Sequence, residues 1–178
     1  LAERAAWDFV KDLDNGMELA TINPGLILGP LPDTNARTSG VLVQSLMLST
    51  LPGIARMHFN AVDVRDVAAA HLAAMTTPEA AGHRFICVSD SFWMEDVAKT
   101  LKEAYGSRGY KVKTNVFPSW MVRFVAIFSK EARATVNALD QKLTVDNSRI
   151  KEVLDWKPRD MKEMVLSMAE SMIELDMV

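Results

Sequence analysis

Apolar and polar positions along this chain switch repeatedly between helical and strand periods. Leu1, Ala5, Phe9 and Leu13 recur on one helical face, joined by Ala2, Ala6 and Val10. Residues 1–13 therefore predict an amphipathic helix, stopped by Asp14-Asn15-Gly16. Met17 to Asn23 predicts a short apolar strand, broken at Asn23-Pro24-Gly25 because proline fixes its own φ and pushes the residue before it to extended geometry. A polar loop over 31–40 leads to a helical pattern from Val41 to Thr50 and a turn at Leu51-Pro52-Gly53. Met57 to Val62 predicts a strand, and Asp63 an N-cap for a helix running to Met75. Arg84 to Val88 predicts a further strand, and Ser91 precedes a helix running to Tyr105. Beyond it the pattern predicts an edge strand at 111–116, one helix from Ser119 to Leu139, a short strand at 142–145, and closing helices over 147–154 and 160–175. This alternation predicts an α/β fold with parallel strand pairing, and no internal repeat interrupts it.

Composition narrows the class of protein. With 178 residues, 49% of them hydrophobic and 24% charged, the chain can bury a sizeable core. Its net charge of −3 argues against a nucleic-acid surface or an anionic membrane partner. The single cysteine cannot form an internal disulfide and suits a reducing, cytoplasmic compartment; in the apolar run Arg-Phe-Ile-Cys-Val, Cys87 is expected to be a buried small hydrophobe. The helical pattern begins at Leu1 without an N-cap, so its start is expected upstream, and no signal-peptide pattern is present.

Two stretches carry the chemistry. Residues 18–30 are Glu-Leu-Ala-Thr-Ile-Asn-Pro-Gly-Leu-Ile-Leu-Gly-Pro, and residues 59–74 are Phe-Asn-Ala-Val-Asp-Val-Arg-Asp-Val-Ala-Ala-Ala-His-Leu-Ala-Ala. In this order and at this separation they resemble the second half of an extended short-chain dehydrogenase/reductase of the dihydroflavonol-4-reductase-like type, within the NAD-dependent epimerase/dehydratase superfamily. Leu154-Asp155-Trp156-Lys157-Pro158 resembles a packing motif near that family's C-terminus, with Asp155 where glycine is usual. The resemblance implies the C-terminal half of a Rossmann-like doubly wound parallel sheet plus a small substrate-binding region, with residues 1–178 forming one C-terminal portion.

The family's other half has no counterpart in the sequence. No glycine-rich phosphate loop occurs, and neither tyrosine has a lysine four residues on: Gly109 follows Tyr105 at that spacing, and Thr114 follows Tyr110. In the family the catalytic Tyr-x-x-x-Lys begins the helix that here starts at Leu1, so no catalytic residue is expected in this chain. The resemblance places Pro24, Gly25, Leu26 and Ile27 under a nicotinamide ring, with Ser39 in a loop over the cofactor, NADP or NAD. Proline stiffens such a turn, and glycine lets the backbone approach a flat ring. Thr38 and Asn60 are expected to face a small-molecule carbonyl substrate.

Several residues have plainer expected roles. Asp63 and Asp66 look like paired carboxylates, but at a helix start their expected work is capping, with Arg65 balancing the charge. His58, His71 and His83 have no metal-ligand spacing. Met161, Met164, Met168 and Met172 are expected to face the core. Trp120, Phe124 and Phe128 suit either an apolar substrate wall or burial of a helix face, and burial is expected. The implied function is the substrate-binding part of an NAD(P)H-dependent carbonyl reductase, inactive by itself. Two alternatives stay open: a sugar-nucleotide epimerase/dehydratase part, or a non-enzymatic binding module. Without a neighbouring fifth strand, the strand at 17–23 would present an open edge, so self-association or pairing with an N-terminal half is expected.

Overall fold

Gly25 marks the step at which one extended segment changes its neighbours, and the sheet is built around it. In the computed structural model, which describes residues 1–178 apart from Asp14 and Ala36 and apart from the side chains of Arg37, Thr38, Lys130 and Glu131, strand β1 (Thr21–Pro24) pairs in parallel with β4 (Arg84–Cys87). After Gly25, strand β2 (Leu26–Leu28) pairs in parallel with β3 (His58–Asp63), and β3 pairs antiparallel with β5 (Asp90–Trp93). The Gly25 N–H donates to the Cys87 carbonyl at 3.2 Å, and the Ser89 N–H donates to the Ala61 carbonyl at 2.8 Å, stitching the two ladders together.

The helices are α1 (Ala2–Lys11), α2 (Arg37–Met47), α3 (Val64–Thr76), α4 (Met94–Tyr105), α5 (Ser119–Val125), α6 (Lys130–Thr135), α7 (Ser148–Leu154) and α8 (Met161–Glu174). Alternation along β3 feeds two cores. Ala61 enters the larger one, with Leu28, Val43, Leu101, Met164, Met168 and Met172; Val62 enters the other, with Val67, Phe85, Cys87, Ile150 and Trp156. The methionine stripe of α8 is thus core, as is Cys87, whose burial pushes its thiol pKa up to about 12.

The α/β class and the parallel pairing agree with the pattern, and several elements differ from it. Strand pairing starts at Thr21 rather than Met17. Strands β2 and β5 were not in the pattern: Asp90 and Ser91 are poor strand formers, yet the Ser91 hydroxyl donates to Asn60 Oδ1 at 2.7 Å across the ladder. The expected strands at 111–116 and 142–145 do not form; Val116 makes only an isolated bridge to Ile54. The single helix expected over 119–139 is broken. Ser129 restarts it as α6 by accepting the Ala132 N–H at 3.2 Å, and the Arg133 guanidinium donates to the Ala126 and Ile127 carbonyls, closing the end of α5. Trp120, Phe124 and Phe128 are consequently exposed rather than buried. Among the described residues no helix is long and apolar enough to cross a membrane, and no cluster of His, Cys, Asp and Glu could hold a metal ion.

Candidate functional site

The Pro24-Gly25 step has a structural cause inside the protein. A Cβ on Gly25 would run into the Asn60 carbonyl oxygen and would lie 2.9 Å from the Asn60 carbonyl carbon and 3.1 Å from Val88 Cγ2. The glycine lets β1–β2 cross β3 at close range, whatever else approaches it. Pro24 is exposed at the end of β1. Beside it the Asn23 Nδ2 is buried without a hydrogen-bond partner, on the strand face it shares with Thr21, whose hydroxyl donates to Glu3 of α1 at 3.2 Å.

A second glycine sets the next turn. Gly29 has φ of +107°, and a Cβ there would lie 2.8 Å from Asp63 Oδ1. Asp63 is fully buried and caps α3 by accepting the Arg65 N–H at 2.9 Å. The Arg65 guanidinium also clamps both carboxylate oxygens, at 2.8 and 2.7 Å. Burial alone would raise the Asp63 pKa, but the Arg65 hydrogen bonds prevail and hold it below the ordinary carboxylate range. Asp66 is also committed: its carboxylate accepts the Arg159 N–H at 2.7 Å and pairs with the Arg159 guanidinium, while its carbonyl accepts from the Trp156 indole at 2.9 Å. Asp63 thus does the capping expected of it, balanced by Arg65, whereas Asp66 does not cap α3 but bridges to Arg159, a partner 93 residues away.

Past this turn lies a mostly apolar cavity of about 280 Å³, lined by Ile27, Gly29, Pro30, Ser39, Val64 and Met168 among others. Two of the sequence-predicted cofactor residues, Ile27 and Ser39, meet there; Pro24, Gly25 and Asn60 gather at the β1–β2 step. Leu26 packs against the larger core and stays half-buried. Asn60 faces Ser91, and the Thr38 side chain lies outside the described residues. Pattern reading missed Gly29, Val64 and Met168 as cavity walls; the Gly29-Pro30 pair directly after an apolar run was the available signal.

Both tyrosines belong to the larger core, Tyr105 inside it and Tyr110 packed against it. Tyr105 is buried, donates to the Leu166 carbonyl at 3.2 Å and to Glu170 at 3.1 Å, and has its pKa pushed up to about 12 by burial and by Glu170. Tyr110 packs edge-on against it, with ring centroids 6.0 Å apart. His58 packs against Trp93 with its Nδ1 buried and unpartnered, and its pKa is lowered by burial. The His71 Nδ1–H donates to the Val67 carbonyl of its own helix at 2.8 Å.

The parallel strands flanked by helices are those of Rossmann-like reductases. No family model matches the chain. It is 32% identical to the NADPH-dependent methylglyoxal reductase GRE2 of Saccharomyces cerevisiae over 98% of this chain and 49% of that protein. It is 37% identical to cinnamoyl-CoA reductase 1 of Petunia hybrida over 59% of this chain and 31% of that protein. The crystal structure of yeast methylglyoxal/isovaleraldehyde reductase Gre2 complexed with NADPH superposes with a TM-score of 0.74 at 31% identity, covering 98% of this chain and 53% of that one. Over about 98% of its length the chain is homologous to NADPH-dependent reductases of the extended short-chain dehydrogenase/reductase, dihydroflavonol-reductase-like type, and it spans about half the length of the full-chain relatives it matches.

Proposed function

We propose that residues 1–178 form one portion, the C-terminal, substrate-binding part, of an NADPH-dependent carbonyl reductase acting on a small aldehyde or ketone in a reducing, cytoplasmic compartment. The observation that carries this is the open edge of the sheet. In the described structure β1 pairs only with β4, and α1 buries none of its residues although its face is amphipathic. On the α3 face a groove of about 510 Å³ runs between residues 18–22 and the α3 residues His71, Ala74 and Met75. An added parallel strand with its covering helix would complete both layers. A nucleotide-binding half supplies such a strand, together with the glycine-rich loop and Tyr-x-x-x-Lys that this sequence lacks.

The β1–β2 step fits a nicotinamide in one respect. The exposed Pro24 leaves main-chain surface at the end of β1, directly beside the buried and unpartnered Asn23 Nδ2. When bound, the dinucleotide supplies hydride. The main chain of Pro24, Gly25, Leu26 and Ile27 would support the ring, the Ser39 hydroxyl would orient it, and Thr38 and Asn60 would position the carbonyl substrate. The apolar walls at Ile27, Val64 and Met168 would exclude water. Calorimetric titration of NADPH into the 178-residue chain tests the proposal: no micromolar binding is expected, since the pyrophosphate has no backbone cradle here. Micromolar binding, or aldehyde reduction by this chain alone, would overturn it.

A further inference from the structure

The connection from α1 to β1 carries a pair of residues with a chemistry of its own. Asn15 and Gly16 are both exposed, and the Asn15 side chain folds over the peptide that joins them: its Oδ1 accepts the Met17 N–H at 3.0 Å. Gly16 has φ of +72°, and a Cβ there would meet nothing within 4 Å. Among the described residues no acceptor takes the Gly16 N–H. The turn therefore holds a side-chain carbonyl carbon beside an open, unhindered main-chain nitrogen, with a backbone donor already on the carbonyl oxygen.

We propose that Asn15 is a site of spontaneous deamidation, converted through a cyclic imide to isoaspartate and aspartate, with the Met17 N–H as its oxyanion donor. Hydroxide removes the Gly16 amide proton, and the nitrogen attacks Asn15 Cγ. The negative charge that develops on Oδ1 falls on the atom that already accepts from Met17. The bond from Cγ to Nδ2 then breaks, and Nδ2 leaves as ammonia with a proton from water. Water next opens the imide. Attack at the side-chain carbonyl gives aspartate; attack at the main-chain carbonyl gives isoaspartate, in which the main chain runs through Cβ and Cγ. Water is the only co-reactant.

The sequence offers one close competitor, Asn147-Ser148, and the fold disables it. The Asn147 Nδ2 donates to the Val88 carbonyl, and the Ser148 N–H donates to Asp146 Oδ1 at 2.9 Å, so both reacting groups are engaged. Every other asparagine precedes proline, which has no N–H, or alanine or valine, whose Cβ crowds the attacking nitrogen. The product adds a negative charge between Asp12 and Glu18, and its isoaspartyl form lengthens the main chain joining α1 to β1. The inference does not depend on the reductase reading.

Peptide mapping by mass spectrometry tests this, on the 178-residue chain held at body temperature and mildly alkaline pH. Isoaspartate at residue 15 is expected as the main product, formed at least tenfold faster than any product at Asn147. A synthetic peptide of residues 12–20 gives the rate without the fold, and the native chain is expected to match or exceed it. Met17→Pro removes the donor on Oδ1. It is expected to slow the native chain at least threefold relative to the same change in the peptide, with an unchanged far-ultraviolet circular dichroism spectrum. A native rate at Asn15 no greater than at Asn147, or more than tenfold below the peptide's, would overturn the proposal. So would an undiminished rate in folded Met17→Pro.

Discussion

The backbone of Gly25 rests directly on the Asn60 carbonyl, with the Val88 side chain closing the third side. Any side chain at residue 25 must therefore displace main chain of the central strand β3, which cannot swing aside as a flexible side chain could. Gly25→Ala is expected to destabilise the chain by an amount at the upper end of the ~1–3 kcal/mol typical of overpacking, and Gly25→Val by more. Urea denaturation followed by circular dichroism measures this. A loss below about 0.5 kcal/mol for Gly25→Ala would mean that the strands separate easily here.

Asp155 ends α7 in the left-handed conformation, with φ 44° and ψ 38°, at the position where the related motif carries glycine. A side chain in that region costs roughly 1–2 kcal/mol, somewhat less for aspartate, and glycine gives part of the gain back through the freedom of the unfolded chain. Its ion pair with Lys157 is exposed on both sides and adds little. Asp155→Gly is expected to stabilise the protein by about 0.5–1 kcal/mol, raising Tm by roughly 1–3 °C. Differential scanning calorimetry checks the sign.

Asp66 joins the first turn of α3 to the segment entering α8, through the Arg159 main chain and guanidinium. The aspartate is 4% exposed, whereas the Arg159 side chain is 34% exposed, so part of the pair remains in water. Asp66→Ala is expected to cost about 3 kcal/mol, the low end of the range for breaking a buried pair. Arg159→Ala is expected to cost less than Asp66→Ala, because the Arg159 N–H survives as a donor. Chemical denaturation of the two variants side by side gives the order.

The Cys87 thiol, with its pKa pushed up to about 12 by burial, has almost no thiolate at neutral or mildly alkaline pH. Iodoacetamide is expected to leave the native chain unmodified at about pH 8 and to alkylate it fully in denaturant. Mass spectrometry after timed quenching reads both arms. Rapid native labelling would mean that the Phe85–Trp156 core opens readily.

Glu3 ties α1 to β4 through Arg84, at 2.8 and 3.1 Å, and the Arg84 hydrogen bonds hold its pKa down to about 2. Its folded pKa lies below the unfolded value of 4.5, so its contribution is fully present above that value and is lost as pH falls toward 2. The protection of α1 amides, exchange measured relative to the intrinsic rate at each pH, is expected to fall over that window in the parent chain. In Glu3→Gln that protection is expected to be reduced already at neutral pH.

The local elements were legible wherever one residue type settles a local question. Asp63 as the cap of α3, the end of β1 at Pro24, the α8 methionine stripe and the burial of Cys87 all follow from side-chain chemistry and period alone. The family, too, could be recognised from residues 18–30 and 59–74, because a strand end and a strand–helix junction are local motifs. Long-range partners were not legible. Strand β5 exists because β3 offers Asn60 and His58 opposite Ser91 and Trp93, and the 119–139 helix breaks because Ser129 and Arg133 satisfy freed backbone groups more locally than a continuous helix would. The same limit applies at the candidate site. The sequence pointed to Gly25 but gave a ligand as the reason for it, whereas the fold brings the Asn60 carbonyl there. The fold also decided that Trp120, Phe124 and Phe128 face outward, since the period of a helix says which residues share a face but not whether anything lies opposite it.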